Sequence, residues 1–297
     1  MNYVSTRGHA PILPFDDVLL TGLARDGGLY VPEIWPTFST TEIATWKDFS
    51  YEEIAGRVVG PFVGNTVKSE TLKKIISSAY SHFDSTDIAP LKELPNGEWI
   101  LELFHGPTLA FKDFALQLLG PLFDHVLSEK NKRICIIGAT SGDTGSAAID
   151  ACKGRTNIDI IILYPHGRIS DVQRRQMTTV TATNVHTIAL LGTFDDCQDM
   201  VKVLFNDLAF RDRMNLSAVN SINWARIMAQ IVYYFWAALK VGGPKTPVSF
   251  AVPTGNFGNV FAGYAAHRMG LPVKEFIVGS NSNDILTCFF ESGEMKI

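Results

Sequence analysis

Lys112 is the residue from which chemistry can be argued first. It lies in His105-Gly106-Pro107-Thr108-Leu109-Ala110-Phe111-Lys112-Asp113-Phe114, at the mouth of a helix whose apolar positions recur at 111, 114, 115, 118, 119 and 122. Gly106 and Pro107 break the chain just upstream, so the lysine is expected in the first helical turn. Unpaired backbone N–H groups and the positive helix end point there. Together with partial desolvation they can lower an amine's pKa, and a neutral amine forms a Schiff base with an aldehyde. The same spacing also fits a solvated lysine at a helix start, because lysines are mostly exposed.

Two loops further on could grip an anion. Ala139-Thr140-Ser141-Gly142-Asp143-Thr144-Gly145-Ser146 follows an apolar strand and opens a helix, offering hydroxyls, close backbone approach and a helix N-terminus. Asp143 puts negative charge where an anion would go, so it either faces a cation or hydroxyl or merely caps the helix. Pro253-Thr254-Gly255-Asn256-Phe257-Gly258-Asn259 repeats the arrangement. Its glycines and asparagines can wrap N–H groups and amides around a phosphate. It matches neither dinucleotide nor nucleoside-triphosphate fingerprints. Asn220-Ser221-Ile222-Asn223-Trp224-Ala225-Arg226 opens a long apolar helix, where Arg226 either pairs with a phosphate or sits on a polar surface. The histidines show no ligand spacing, and no metal site is expected.

The elements that must hold these loops follow from periodicity. Short apolar strands at 133–138, 158–164, 185–191, 247–252 and 274–279 alternate with helices near 144–153, 170–178, 194–208, 221–240, 257–269 and 283–292. That alternation predicts an α/β fold with parallel sheets covered by helices, and ligands bind outside the strands' C-terminal ends in such folds. Before residue 95 the chain reads as a helical N-terminal region, with capping boxes starting helices near 40 and 51, a third helix from about Ser69 to Tyr80, and helical periodicity from Pro14 to Leu23. Trp99 to Phe104 is expected as a strand buried in a sheet. The expected division is therefore 1–95 and 96–297.

Composition narrows the class. The 297 residues are 46% hydrophobic and 19% charged with net charge -4, which gives no reason to expect nucleic acid. Cys135, Cys152, Cys197 and Cys288 stand apart and are expected as reduced thiols. Met1 to Arg7 has no apolar segment of a secretory signal, and Ala225 to Leu239 is too short to span a bilayer. A cytoplasmic protein without membrane partners is expected.

The motifs around Lys112, Thr140, Asn220 and Pro253, in that order, together with Tyr3-Val4-Ser5-Thr6-Arg7, resemble the threonine synthase family in its bacterial and fungal branch. The resemblance implies fold-type II pyridoxal-phosphate architecture and conversion of O-phospho-L-homoserine and water into L-threonine and phosphate. It implies that Lys112 carries pyridoxal 5'-phosphate and is the catalytic base and acid. Gly255, Asn256, Phe257, Gly258 and Asn259 would hold the cofactor's phosphate, with Asp143 near its 3'-hydroxyl. Thr140, Ser141, Gly142 and Thr144 would receive the substrate carboxylate, and Ser221, Asn223 and Arg226 its phosphate. Closure of the N-terminal part over the site is a further expectation. Members of the family run well past the position of Ile297, and the partner of the cofactor's ring nitrogen is expected beyond it. A phosphohomoserine or hydroxyamino-acid lyase releasing 2-oxobutyrate, and a non-catalytic binding or signalling fragment, are the alternatives.

Overall fold

The computed structural model describes residues 1–217, 223–253 and 256–294. Its first strands, β1 (Asn2–Ser5), β2 (Leu13–Pro14) and β3 (Tyr30–Pro32), form an antiparallel sheet in the order β2-β1-β3. Tyr3 pairs with Leu13 on one side and Pro32 on the other. This sheet is absent from the sequence reading, because strands of two to four residues are too short to show a period of two. The helices of this region are α1 (Phe15–Thr21), α2 (Thr40–Ala44), α3 (Tyr51–Val63) and α4 (Ser69–Tyr80). At α3 the expected capping box forms: Glu53 N–H donates to Ser50 Oγ at 3.2 Å and Ser50 N–H to Glu53 Oε2 at 2.8 Å. At α2 Ser39 caps Glu42 N–H, without the reciprocal bond.

Trp99 to Phe104 departs from expectation. Only Trp99–Leu101 is a strand, β5, paired antiparallel with β4 (Leu91–Glu93) in a two-stranded ribbon. Trp99 and Ile100 are exposed. The apolar cluster was read as burial, but the left-handed residues Asn96 and Gly97 turn the segment into an outlying hairpin.

After α5 (Asp113–Glu129) the α/β alternation begins. β6 (Ile134–Ala139), α6 (Asp143–Cys152), β7 (Ile158–Pro165), α7 (Asp171–Thr178) and β8 (Val185–Leu190) follow in turn. Next come α8 (Phe194–Asn206), α9 (Leu208–Met214) and the short β9 (Leu216–Ser217). Asp207 ends α8 and caps α9 through Phe210 N–H, which splits the single helix expected over 194–208. The four strands lie parallel in the order β8-β7-β6-β9. Beyond α10 (Trp224–Lys240), β10 (Val248–Pro253) and β11 (Val273–Gly279) form a second parallel pair flanking α11 (Gly258–Arg268), before α12 (Ile285–Ser292). Coverage on both faces is incomplete among the described residues: Ile188 and Ile277 are exposed on β8 and β11.

Every residue of α10 from Trp224 to Leu239 is buried. Trp224 meets Tyr3, Trp35 and Phe62, while Trp236 meets Tyr51. One core therefore runs from the N-terminal sheet through α3 and α5 to α11. Among the described residues no helix is long and apolar enough to cross a membrane.

Candidate active site

The loop before α5 is folded back on itself. Asp113, fully buried, accepts Thr108 N–H at 2.8 Å on Oδ2 and the Thr108 hydroxyl at 2.7 Å on Oδ1. Burial pushes this carboxyl up, and the Thr108 bonds oppose the shift. Leu109 adopts a left-handed backbone (φ 60°) to complete the loop. Gly106 packs so closely that a Cβ would lie 2.5 Å from Asp113 Cβ, hence the glycine. Gln176 on α7 donates to Thr108 O at 3.1 Å and ties the loop to the sheet's helices. Lys112 is consequently the cap residue of α5 rather than a member of its first turn.

The Lys112 side chain is drawn toward the β6 edge. Its Nζ lies 2.6 Å from Asp143 Oδ2 and 4.8 Å from the centroid of the Phe111 ring. Asp143 is the first residue of α6, behind Gly142 as cap. Of its two sequence readings, the one facing a cation is the one seen. Between β6 and α6, buried Thr140 uses its Oγ1 to bond Gly142 O and to accept the N–H groups of Gly142 and Gly145. That hydroxyl shapes the loop and is not open to a substrate carboxylate. The Ser141 and Thr144 hydroxyls, half-buried or exposed, make no hydrogen bond among the described residues.

Arg226 is buried on α10, which removes the surface reading. Its Nε has no hydrogen-bond partner among the described residues. Burial lowers its guanidinium to about 10, and the charges of Asp143 and Tyr233 partly oppose this. Arg226, Gln230 and Tyr233 recur at helical spacing as a polar stripe. Gln230 Nε2 donates to Arg226 O at 2.9 Å, and the Tyr233 hydroxyl stands 3.1 Å from Gln230 Oε1 and 2.7 Å from Asn259 Oδ1. Tyr234 adds a bond to Asn259 O at 2.9 Å. The Tyr233 ring also meets Phe114, two residues past Lys112, edge-on at 5.9 Å. Thus α10 links the lysine end of the site to the start of α11.

Asn223 requires correction. Placed by sequence at the substrate phosphate, it is the buried cap of α10: Oδ1 accepts Ala225 N–H at 2.9 Å and Nδ2 donates to Leu19 O at 3.0 Å. Both ends of the amide are committed to structure. Phe257 caps α11 without a side-chain bond and packs on Phe290 at 6.0 Å, and Gly258 and Asn259 form the first helical residues. Asn256 is exposed. Gly255 and Ser221 lie outside the described residues. Sequence reasoning missed Asp113, Thr108, Gln230 and Tyr233. The last two were detectable as polar residues at helical spacing in an otherwise apolar run; Asp113 looked like an ordinary acid at a helix start.

A lysine at a helix mouth with an acid beside it, on parallel sheets, fits a pyridoxal-phosphate dependent enzyme, and the family model of that description matches residues 84–297. Residues 2–80 match the model described as threonine synthase N terminus. The chain belongs to the threonine synthase family. It is 60% identical over 289 residues to threonine synthase of Pseudomonas aeruginosa, covering 97% of this chain and 62% of that protein. The structure of PLP-bound threonine synthase from Brucella melitensis superposes with a TM-score of 0.96 at 55% identity, over 99% of this chain and 63% of that one. Threonine synthase from Escherichia coli gives 0.89 at 35% identity, over 100% and 68%. The chain spans about three fifths of the length of the curated relatives it matches.

The residues present fit such a cofactor. Lys112 offers the amine, the start of α11 offers N–H groups, and the buried Nε of Arg226 is a donor with no acceptor among the described residues.

Proposed function

We propose that this chain is the catalytic core of an enzyme that converts O-phospho-L-homoserine and water into L-threonine and phosphate. The observation that carries the reading is the Lys112–Asp143 pair, with a buried Arg226 that feels the charge of Asp143 and whose Nε has no partner among the described residues.

When bound, the cofactor supplies an electron sink for charge developing on the substrate's carbon chain. Lys112 would hold it covalently, and its free amine would move protons at the substrate's Cα, Cβ and Cγ. Asp143 keeps the amine directed at the β6 edge and would face the cofactor's 3'-hydroxyl. The N–H groups at the start of α11 would hold the cofactor's phosphate, and Tyr233 and Tyr234 orient the Asn259 amide there. Backbone groups of 140–142, with the Ser141 and Thr144 hydroxyls, receive the substrate carboxylate. Arg226 binds the leaving phosphate, which removes the cost of a buried unpaired cation.

Residues 1–95 serve as a buttress for α10 and α5. Their side chains are part of the shared core, so closure over the site is better assigned to loops than to this whole region.

The test incubates the protein, loaded with cofactor, with O-phospho-L-homoserine and separates the products. Threonine with equimolar phosphate is expected. Release of 2-oxobutyrate would make the protein a lyase, and failure to bind the cofactor, seen as no borohydride-stable mass increase, would leave a binding fragment. Lys112→Ala should abolish both the mass increase and turnover.

A further inference from the structure

A cavity of about 410 Å³ lies on the outer side of the α4–α5–α6 contact, lined by Ser78, His82, Pro107, Gln117, Asp150, Lys153 and Arg155. It shares no lining residue with the Lys112 site. Three nitrogen bases from two segments meet here: His82 just past α4, and Lys153 and Arg155 just past α6. The only carboxylate in the lining, Asp150, is already engaged, pairing with Lys153 and accepting Gln117 Nε2 at 2.9 Å. Arg155 is different. Its Nε donates to Ala151 O at 2.6 Å, which fixes the guanidinium plane, while its two terminal nitrogens have no partner among the described residues. Burial pushes this guanidinium down, the nearby Cys152 and Asp124 partly oppose the shift, and no ion pair reaches it among the described residues. Gly120 on α5 allows the arrangement, since a Cβ there would come within 2.9 Å of Arg155 Nε and 2.3 Å of Ala151 O.

A half-buried arginine with a fixed plane and an open fork is suited to bidentate binding of a tetrahedral oxyanion. Lys153, paired on one side with Asp150, adds N–H donors, as do His82 and Ser78 at the rim. The volume exceeds what a bare phosphate needs and leaves room for a short carbon stem. We infer that this cavity is a second anion site that binds the phosphate group of a small phosphomonoester or free phosphate.

Its position connects it to the first site. Pro107 belongs to the loop that ends in Lys112, and the Gln117–Asp150 bond joins α5, capped by Lys112, to α6, which begins with Asp143. An anion held between His82, just past α4, and Arg155, just past α6, would brace α6, which begins with Asp143, against α4.

The experiment follows the His82 imidazole carbon resonance of the cofactor-free protein during titration with inorganic phosphate and, separately, with O-phosphoserine, each against sodium chloride of equal ionic strength. Saturable shifts in the phosphate-containing arms and none with chloride are expected, the tighter arm showing whether the free or the esterified group is preferred. Arg155→Gln should weaken the affinity at least tenfold and Lys153→Gln several-fold. Because Arg155 also bonds Ala151, unfolding of the first variant leaves Lys153→Gln, on an exposed side chain, to decide. A His82 resonance that moves no further than in chloride, or affinities unchanged in a folded variant, would overturn the inference. Neither result depends on turnover at Lys112.

Discussion

The carboxylate of Asp113 accepts both the backbone N–H and the hydroxyl of Thr108, at 2.8 and 2.7 Å, and so closes the loop whose last residue is Lys112. A buried acceptor with two donors on one residue fixes position as well as stability, because neither donor has water as an alternative. Asp113→Asn keeps the volume but turns one acceptor into a donor that must face Thr108. The expected loss is about 2–3 kcal/mol in urea unfolding, together with weaker cofactor retention. Wild-type retention in this variant would mean that the loop does not position the lysine.

Gly106→Ala tests the same loop by volume alone. The added methyl meets Asp113 at contact distances that no side chain tolerates, and the neighbour is a buried carboxylate that cannot swing away. Overpacking of this kind costs roughly 1–3 kcal/mol. The variant should lower the thermal midpoint and slow cofactor capture, measured as the rate of borohydride-trapped mass increase.

His105 fastens the start of the loop to the preceding connection. Its Nε2 lies 2.9 Å from Glu102 Oε2 and its Nδ1 2.6 Å from Asp84 Oδ1. The Glu102 bond, aided by Asp84 and opposed by desolvation, raises the imidazole pKa. A raised folded-state value means that the stabilisation is complete below the ordinary histidine value and disappears as pH rises through the raised one. His105→Asn should therefore lower the urea midpoint clearly at about pH 5.5 and little at about pH 9. Equal losses at both would assign His105 a packing role instead.

The place of Lys112 at a helix start and the α/β alternation were legible because each rests on local pattern: an apolar stripe, glycine and proline breaks, and strands that run into helices. What stayed hidden rests on partners distant in sequence. Asn223 looked like a ligand because polar residues gathered at a helix start, and only the structure shows its amide spent on Leu19 and Ala225. Thr140 likewise looked like an open hydroxyl but closes its own turn. For Arg226 two readings stayed open, since one charge in an apolar helix gives no sign of which face it occupies, and burial removes the surface one. The N-terminal strands were invisible for want of length.

Arg226 separates stability from function most sharply. Burial lowers its guanidinium to about 10, so the folded state carries an unfavourable charge wherever the residue is protonated in both states. Arg226→Met removes that charge while keeping an unbranched stem, and such replacements are neutral or stabilising by about 1–4 kcal/mol. The cofactor-free variant should thus melt at or above the wild-type temperature near neutral pH. As pH rises through about 10 the wild-type arginine loses its proton more readily in the folded than in the unfolded chain, so its penalty fades and the gap between the two proteins narrows. The same substitution should weaken binding of the phosphorylated substrate at least tenfold, about 1.4 kcal/mol, read as a rise in KM. A variant that melts lower and keeps the wild-type KM would make Arg226 a structural cation held by Asp143, and the substrate's phosphate would have to find its donors elsewhere.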